Sequence, residues 1–270
     1  MLEIQIISAC LGVAVGFVLA LTGAGGAMIA IPLLVSFFNI SIYQATPIAL
    51  LAVLSAAAFG ALQGLFNKKV RYKAALLMAI SGFVLAPFGV KLAEKLPNQV
   101  LSIALISTLL LICVRSWQHA NRQNIDDGQL NSLPACMLNP VTAKLFWTAS
   151  CTKQLIATGG ISGLLSGLLG LGGGFLIVPS LNKISNFNHA TVVATTLTTV
   201  CLISLSSISS HIQSSTFNWS LAIPFATTTT LTMLISTKVI AEKIPKHLCN
   251  QGFSILCLIA AIYLALSLLS

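Results

Sequence analysis

A glycine-rich segment occurs twice in this chain, and the second copy lies 147 residues after the first. The copies span residues 16–34 and 163–181, and seven of their nineteen aligned positions are identical. Each copy reads as an apolar helix, a cluster of glycines and a short apolar run that contains a proline. Duplicated hydrophobic segments interrupted by glycine are the best sequence marker of a secondary transporter's substrate site. The sequence therefore predicts a functional site at the two glycine clusters.

Composition indicates a membrane protein. Hydrophobic residues make up 56% of the chain and charged residues only 7%, and several apolar stretches approach the roughly 20 residues that span a bilayer. The net charge of +9 does not indicate nucleic-acid binding, because the Lys and Arg residues lie at the ends of apolar segments or between them. Positive residues at those places orient membrane proteins. We therefore expect an all-α polytopic membrane protein.

The halves of the chain are predicted to be repeats of five apolar segments each, at residues 1–117 and 154–270, joined by a polar linker at 118–153. The predicted segments are 4–22, 27–39, 44–66, 73–92 and 98–117, then 155–171, 174–182, 189–210, 218–237 and 248–269. The second segment of each half is too short for an ordinary span. We interpret it as a re-entrant half-helix or an oblique crossing. Gln44, Ala45 and Thr46 are aligned with His189, Ala190 and Thr191 after a two-residue gap.

Positive charges predict how the repeats are oriented. With the linker in the cytoplasm, twelve of the 14 Lys and Arg residues fall inside, and only Lys91 and Lys95 fall outside. The positive-inside rule favours this arrangement. Five segments per half then give the repeats inverted topology, with both termini outside and the two glycine clusters approaching each other from opposite sides.

Converging helix starts at the two clusters predict an anion site. The half-helices begin near Ala27 and Gly174, and a helix N-terminus presents free N–H groups and the positive end of the helix dipole. Hydroxyl groups nearby can complete the hydrogen bonds of an oxyanion. The candidate substrate-binding residues are Thr22, Gly23, Gly25, Gly26, Ala27, Gly170, Gly172, Gly173, Gly174, Thr195 and Thr196.

Structural roles are the alternative for many of these residues. The glycine clusters also fit a tight turn between helices, and threonine hydroxyls also join membrane helices. Glycines spaced four residues apart, Gly12 with Gly16 and Gly159 with Gly163 and Gly167, are interpreted as helix-packing positions. The seven cysteines show no C-x-x-C spacing and are interpreted mainly as small buried residues. Contact of Cys10 or Cys201 with a sulfur-containing substrate stays open.

The acidic residues argue against several functions. Glu3, Glu94, Asp126, Asp127 and Glu242 all lie outside the middle of the predicted spans. Cation pumps and proton relays normally carry a carboxylate within the membrane, so cation transport and metal-dependent hydrolysis are disfavoured. We expect no enzyme activity, no cofactor and no metal. An anion channel, an enzyme acting on lipid phosphates and a membrane scaffold remain the alternatives to a transporter.

The two motifs also resemble those of a known family. Residues 167–179 match the pattern G-x-x-G-x-G-G-G-x-x-x-x-P, and residues 20–32 match it with Ala20 and Ala27 in place of glycine. This doubled pattern is similar to that of the sulfite exporter TauE/SafE family of membrane permeases. The resemblance implies export of sulfite, sulfonates or related small anions across the bacterial cytoplasmic membrane. It leaves proton coupling and a homodimer open.

Overall fold

The fold is entirely helical over the residues described by the computed structural model, which are 2–23, 26–122, 136, 148–185, 187–214, 217–239 and 257–265. The helices are α1 (Leu2–Thr22), α2 (Gly26–Phe38), α3 (Ile42–Phe66), α4 (Tyr72–Lys95), α5 (Asn98–Arg122), α6 (Ala149–Leu169), α7 (Gly174–Ile184), α8 (His189–Ser214) and α9 (Trp219–Val239). Residues 257–265 are also helical. The first nine predicted segments thus coincide with helices, and the last, 248–269, lies partly outside the described residues.

Local sequence explains where several helices begin and end. Ser41 caps α3 through a capping box, in which its side chain accepts from the Gln44 N–H and the Gln44 side chain accepts from the Ser41 N–H. Gly170 ends α6 in the left-handed conformation that commonly closes a helix. The two short helices remain short, since 13 residues in α2 and 11 in α7 rise only about 20 Å and 17 Å.

Large apolar side chains cover much of the exterior, and small residues are frequent where helices pack closely. On α4, for example, Leu76, Ile80 and Phe88 are exposed, whereas Ala75, Ala79 and Gly82 are buried. A bilayer solvates large apolar side chains, while small residues let membrane helices approach closely. Among the described residues, α3, α4 and residues 190–212 of α8 are long and apolar enough to cross a membrane.

The helices pack in a reciprocal pattern between the two halves. The most extensive contacts are α4 with α6, α1 with α9 and α3 with α8. α1 and α6 hold equivalent positions in the two halves, as do α4 and α9, and α3 and α8. The contact of α4 with α6 is therefore equivalent to the contact of α1 with α9. The contact of α3 with α8 joins two equivalent helices. A pattern in which each half offers the same surface to the other is typical of a two-fold arrangement.

Glycine contacts repeat the same reciprocity at single residues. A Cβ on Gly16 of α1 would collide with the Thr229 carbonyl oxygen of α9, and a Cβ on Gly163 of α6 would collide with the Gly82 carbonyl oxygen of α4. Gly163 lies 147 residues after Gly16, and Gly82 lies 147 residues before Thr229. The two contacts are therefore equivalent in the two halves. The interpretation of these glycines as helix-packing positions is confirmed.

The structural alignment of α3 with α8 differs from the predicted sequence alignment of the two repeats. Gly23 lies against Val193 of α8, and the equivalent Gly170 lies against Thr46 of α3. Thr46 is therefore the structural counterpart of Val193, 147 residues later, and not of Thr191. The predicted two-residue gap was wrong because it matched identical residue types in a region where the two halves have diverged.

A disulfide joins the linker to the second half. Cys136 is bonded to Cys151, 15 residues later, with their Cα atoms 5.2 Å apart. The Cys136 N–H also donates to the Ile184 carbonyl oxygen at 3.0 Å, so the linker is attached to the start of α6 and the end of α7. The interpretation of the cysteines as small buried residues was incomplete for this pair, because spacing alone does not identify a disulfide.

Candidate functional site

Glycines in the left-handed conformation end the first helix of each half. Gly23 has φ 73° and Gly170 has φ 68°. Their N–H groups donate to the carbonyl oxygens of Leu19 and Ser166 at 2.8 and 2.9 Å, respectively. An L-residue with a side chain is strained in this conformation by about 1–2 kcal/mol, which accounts for glycine at both positions.

The central helices α3 and α8 close over these two turns. A Cβ on Gly23 would lie 2.7 Å from Val193 Cγ1, and a Cβ on Gly170 would lie 2.6 Å from Thr46 Cγ2. Neither turn therefore has room for a side chain. Each helix thus holds the glycine turn of the opposite half, so the two turns have fixed positions relative to each other.

The two glycine loops meet at the start of α2 and α7. A Cβ on Gly172 would lie 3.7 Å from Ala27 Cβ, 3.1 Å from Val53 Cγ1 and 3.7 Å from Val200 Cγ1. Ala27 belongs to the first turn of α2, and Gly172 precedes the first residue of α7 by two positions. The start of α2 and the loop before α7 therefore lie in contact.

Thr196 carries a buried hydroxyl group next to this meeting point. It follows Val193 by three residues and precedes Val200 by four, which places it on the same face of α8. Val193 contacts the Gly23 turn and Val200 faces Gly172. Thr196 is fully buried, and its Oγ1 has no hydrogen-bond partner. Buried polar atoms normally have partners, so this hydroxyl is available to a ligand.

The other two candidate threonines use their hydroxyls within the protein. Thr195 Oγ1 donates to the Thr191 carbonyl oxygen at 2.6 Å and accepts from the Arg71 N–H at 3.1 Å. That contact places Thr195 toward the start of α4, away from the glycine loops. Thr22 Oγ1 donates to the Val18 carbonyl oxygen at 2.9 Å, one turn earlier in α1.

Gly26 and Gly173 face their own preceding helices. A Cβ on Gly26 would lie 2.8 Å from Leu19 Cβ, and a Cβ on Gly173 would lie 2.8 Å from the Ser162 carbonyl oxygen. These two glycines therefore let each short helix fold back along the helix before it. Gly174 is the buried first residue of α7. Gly25, also a candidate, lies outside the described residues.

The site is closed and uncharged in this conformation. Ala27 and Val53 are at most 1% exposed, and Gly172 and Gly173 are buried. In the described part of the chain, no group of three His, Cys, Asp or Glu side chains is placed to hold a metal ion. The available chemistry is that of backbone N–H groups, helix dipoles and one hydroxyl, which together suit a small anion.

Comparison with known proteins gives a consistent result. A family model described as sulfite exporter TauE/SafE matches residues 8–264. A "Probable membrane transporter protein" of Xylella fastidiosa strain Temecula1 is 26% identical over 257 residues, which are 92% of this chain and 90% of the relative. Its counterpart in strain 9a5c is 25% identical over 260 residues with the same coverage. No solved structure matches the chain.

Proposed function

The chain belongs to the sulfite exporter TauE/SafE family, and from this premise we propose that it exports small sulfur-containing anions, such as sulfite or organosulfonates. The family and the relatives make it a multi-pass membrane transporter and not an enzyme. The proposal adds the substrate class, the binding site and the mechanism.

The observation that carries the proposal is the Thr196 hydroxyl, buried without a partner beside two helix N-termini. An anion between Ala27 and Gly172 would accept hydrogen bonds from N–H groups in the first turns of α2 and α7, where the dipoles of both helices favour negative charge. Thr196 Oγ1–H would supply a further donor. Hydrogen bonds to a charged ligand are about twice as strong as those between neutral groups.

Alternating access around this site follows from the reciprocal packing. Each glycine turn is covered by the central helix of the opposite half, so rocking one half against the other would uncover one turn while the other stays covered. Inverted repeats use such a motion to expose a single site to each side in turn. The closed site described above then corresponds to an occluded state between the two open ones.

We further propose that the protein lies in the bacterial cytoplasmic membrane with both termini outside and the linker in the cytoplasm. The distribution of Lys and Arg supports this orientation. The Cys136–Cys151 disulfide favours the opposite one, because disulfides are rare in the reducing cytosol. The redox state of this cysteine pair in intact cells distinguishes the two orientations.

Flux measurements in proteoliposomes test the function. We expect saturable uptake of radiolabelled sulfite or a small sulfonate by the reconstituted protein, and loss of that uptake in Thr196→Val. Uptake with and without a pH gradient tests proton coupling. Thr195→Val is the matched control, because its hydroxyl bonds to Thr191 and Arg71 and should not touch the substrate.

Exchange experiments distinguish a transporter from an anion channel. Unlabelled anion inside the vesicles should accelerate uptake of labelled anion by a carrier, whereas a channel would show no such acceleration. Absence of flux for sulfite, sulfate and a sulfonate in folded protein would contradict the proposed substrate class. Equal flux in Thr196→Val and the unsubstituted protein would contradict the proposed site.

A further inference from the structure

The central helices α3 and α8 are structural counterparts, but their inward faces differ in polarity. On α8, four buried polar residues form the polar face of the helix: Thr196, Ser204, Ser207 and His211. The residues 147 positions earlier on α3 are Ala49, Ala57, Gly60 and Gly64, all buried. Only one of the two equivalent helices therefore presents polar groups to the interior at these positions.

Two residues of the polar face contact the last turn of α6. Ser207 Oγ lies 3.3 Å from Ser166 Oγ, and His211 Nε2 lies 3.2 Å from the Gly167 carbonyl oxygen. Since a carbonyl oxygen only accepts, this ring nitrogen donates. Ser166 and Gly167 belong to the last turn of α6, just before Gly170. The polar face thus begins at the candidate anion site and runs beside the second glycine loop.

Ser204 is a second buried hydroxyl group without a partner. It is fully buried, and its Oγ makes no hydrogen bond. Many other hydroxyls of the described helices donate to a carbonyl oxygen three or four residues earlier, as Thr199 of α8 does to Thr195. Ser204 and Thr196 do not. Both lie on the face of α8 that includes Val200, which faces Gly172.

At the positions equivalent to the polar face, α3 is packed without polar side chains. The buried hydroxyl of Thr46, earlier on the same helix, donates to the Ile42 carbonyl oxygen at 2.8 Å. A Cβ on Gly60 would lie 2.7 Å from Leu197 Cδ1, and a Cβ on Gly64 would lie 2.9 Å from Ala194 Cβ. These glycines let α3 and α8 approach each other closely. A charged solute would find no hydrogen-bond donor from these side chains on α3, and its desolvation there would be costly.

We propose that anions move between the central site and the His211 end of the protein along the polar face of α8, with Ser204 as a transient ligand. This inference rests on the proposed function and specifies the route that its substrate takes. Ser204 and Ser207 supply hydroxyl donors along this part of the path, whereas the Nε2–H of His211 is bonded to the Gly167 carbonyl oxygen. The equivalent positions on α3, Ala57 and Gly60, offer no such donors.

Two residues lie at the outer end of this route. The rings of Tyr43 and His211 are 5.4 Å apart, and the Tyr43 hydroxyl donates to Glu94 Oε1 at 3.0 Å. Glu94 is exposed and interacts electrostatically with His211. Tyr43, Glu94 and His211 therefore mark the outer end of the route.

Cysteine substitution tests the route directly. In a variant whose native cysteines are replaced by alanine, Ser204→Cys should react with sulfonatoethyl methanethiosulfonate, a thiol reagent that is itself a small sulfonate. Ala57→Cys, the equivalent position on α3, is the matched control. During transport we expect Ser204→Cys to react at least about tenfold faster than Ala57→Cys, and excess unlabelled substrate to slow its reaction.

Equal reaction rates at the two positions would overturn the inference, as would a transporting Ser204→Cys protein that never reacts. If Ser204→Cys does not fold, Ser207→Cys replaces it in the same comparison and is judged by the same criteria. Failure of the proposed function is distinguishable, since the Cys-free background would then show no anion flux or Thr196→Val would transport normally. Flux that depends on Thr196 without labelling at Ser204 or Ser207 rejects the route alone.

Discussion

Ala27 in the first turn of α2 and Gly172 just before α7 bring the two halves of the protein together, with 3.7 Å between Ala27 Cβ and the position that a Cβ would occupy on Gly172. These residues come from opposite halves. Their proximity brings the starts of two short helices together, and the proposed anion site uses both of them.

Replacing Gly172 with alanine should impair anion binding more than folding. The new methyl group would point toward Ala27, Val53 and Val200, with its closest contact at 3.1 Å, and the positive φ would cost about 1–2 kcal/mol. We expect Gly172→Ala to reach the membrane and to lose saturable uptake. Gly160→Ala is the control, since its methyl group would meet only the end of the Leu85 side chain at 2.8 Å. Normal uptake by Gly172→Ala would place the anion elsewhere.

The neighbouring threonines of α8 should respond differently to substitution by valine. Thr196→Val removes an unpartnered hydroxyl and should weaken anion binding about 10- to 100-fold, because a hydrogen bond to a charged ligand contributes about 1.5–3 kcal/mol. Thr195→Val leaves the Arg71 N–H without its acceptor and should lower thermal stability with little change in apparent affinity. Substrate-concentration dependence of uptake and thermal unfolding measure the two effects. Weaker apparent affinity in Thr195→Val, with unchanged affinity in Thr196→Val, would mean that Thr195 binds substrate.

Much of the architecture could be predicted from residue patterns. Apolar segments predicted the helices, and the glycine clusters predicted the loops between α1 and α2 and between α6 and α7. Both features can be predicted because each depends only on residues that are neighbours in the sequence. The direction of a side chain is not local. Thr195 and Thr196 are adjacent and chemically identical, and only the packing of α8 against α3 and α4 distinguishes them.

Other features depend on contacts between distant parts of the chain. The Cys136–Cys151 bond needs the return of the linker to α6, which no spacing rule predicts. The roles of Gly26 and Gly173 also depend on how each short helix folds back. Replacing these two with leucine would test the folding of the hairpins, since both face their preceding helices. Ser204 carries no sequence signal, because serine is common in membrane helices.

Close packing of α6 on α4 predicts a strong effect at Gly163. A methyl group there would collide with the backbone of Gly82, which cannot move without displacing α4. We expect Gly163→Ala to reduce the yield of folded protein and to lower its thermal unfolding temperature, as measured in detergent. Gly160→Ala, three residues earlier on α6, should leave both nearly unchanged. Equal stability of the two variants would contradict the packing described for this interface.

Reduction of the Cys136–Cys151 disulfide should destabilise the second half. Crosslinking a loop of 15 residues is expected to contribute up to about 3 kcal/mol by restricting the unfolded chain. A reductant should therefore lower the thermal unfolding temperature of the purified protein. It should have no effect on a variant with Cys136→Ser and Cys151→Ser. An unchanged unfolding temperature in the presence of reductant would mean that the bond does not stabilise the fold.

The redox state of the same pair in living cells tests the orientation of the protein. The proposed cytoplasmic linker exposes Cys136 and Cys151 to a reducing compartment, so both should be thiols until the cells are broken. In a variant that retains only these two cysteines, acid quenching followed by alkylation with a maleimide of high mass should shift the protein by two adducts. Chemical reduction before alkylation is the control for full labelling. A pair that is already oxidised in intact cells would place the linker outside, and the termini inside, against the prediction from the Lys and Arg residues.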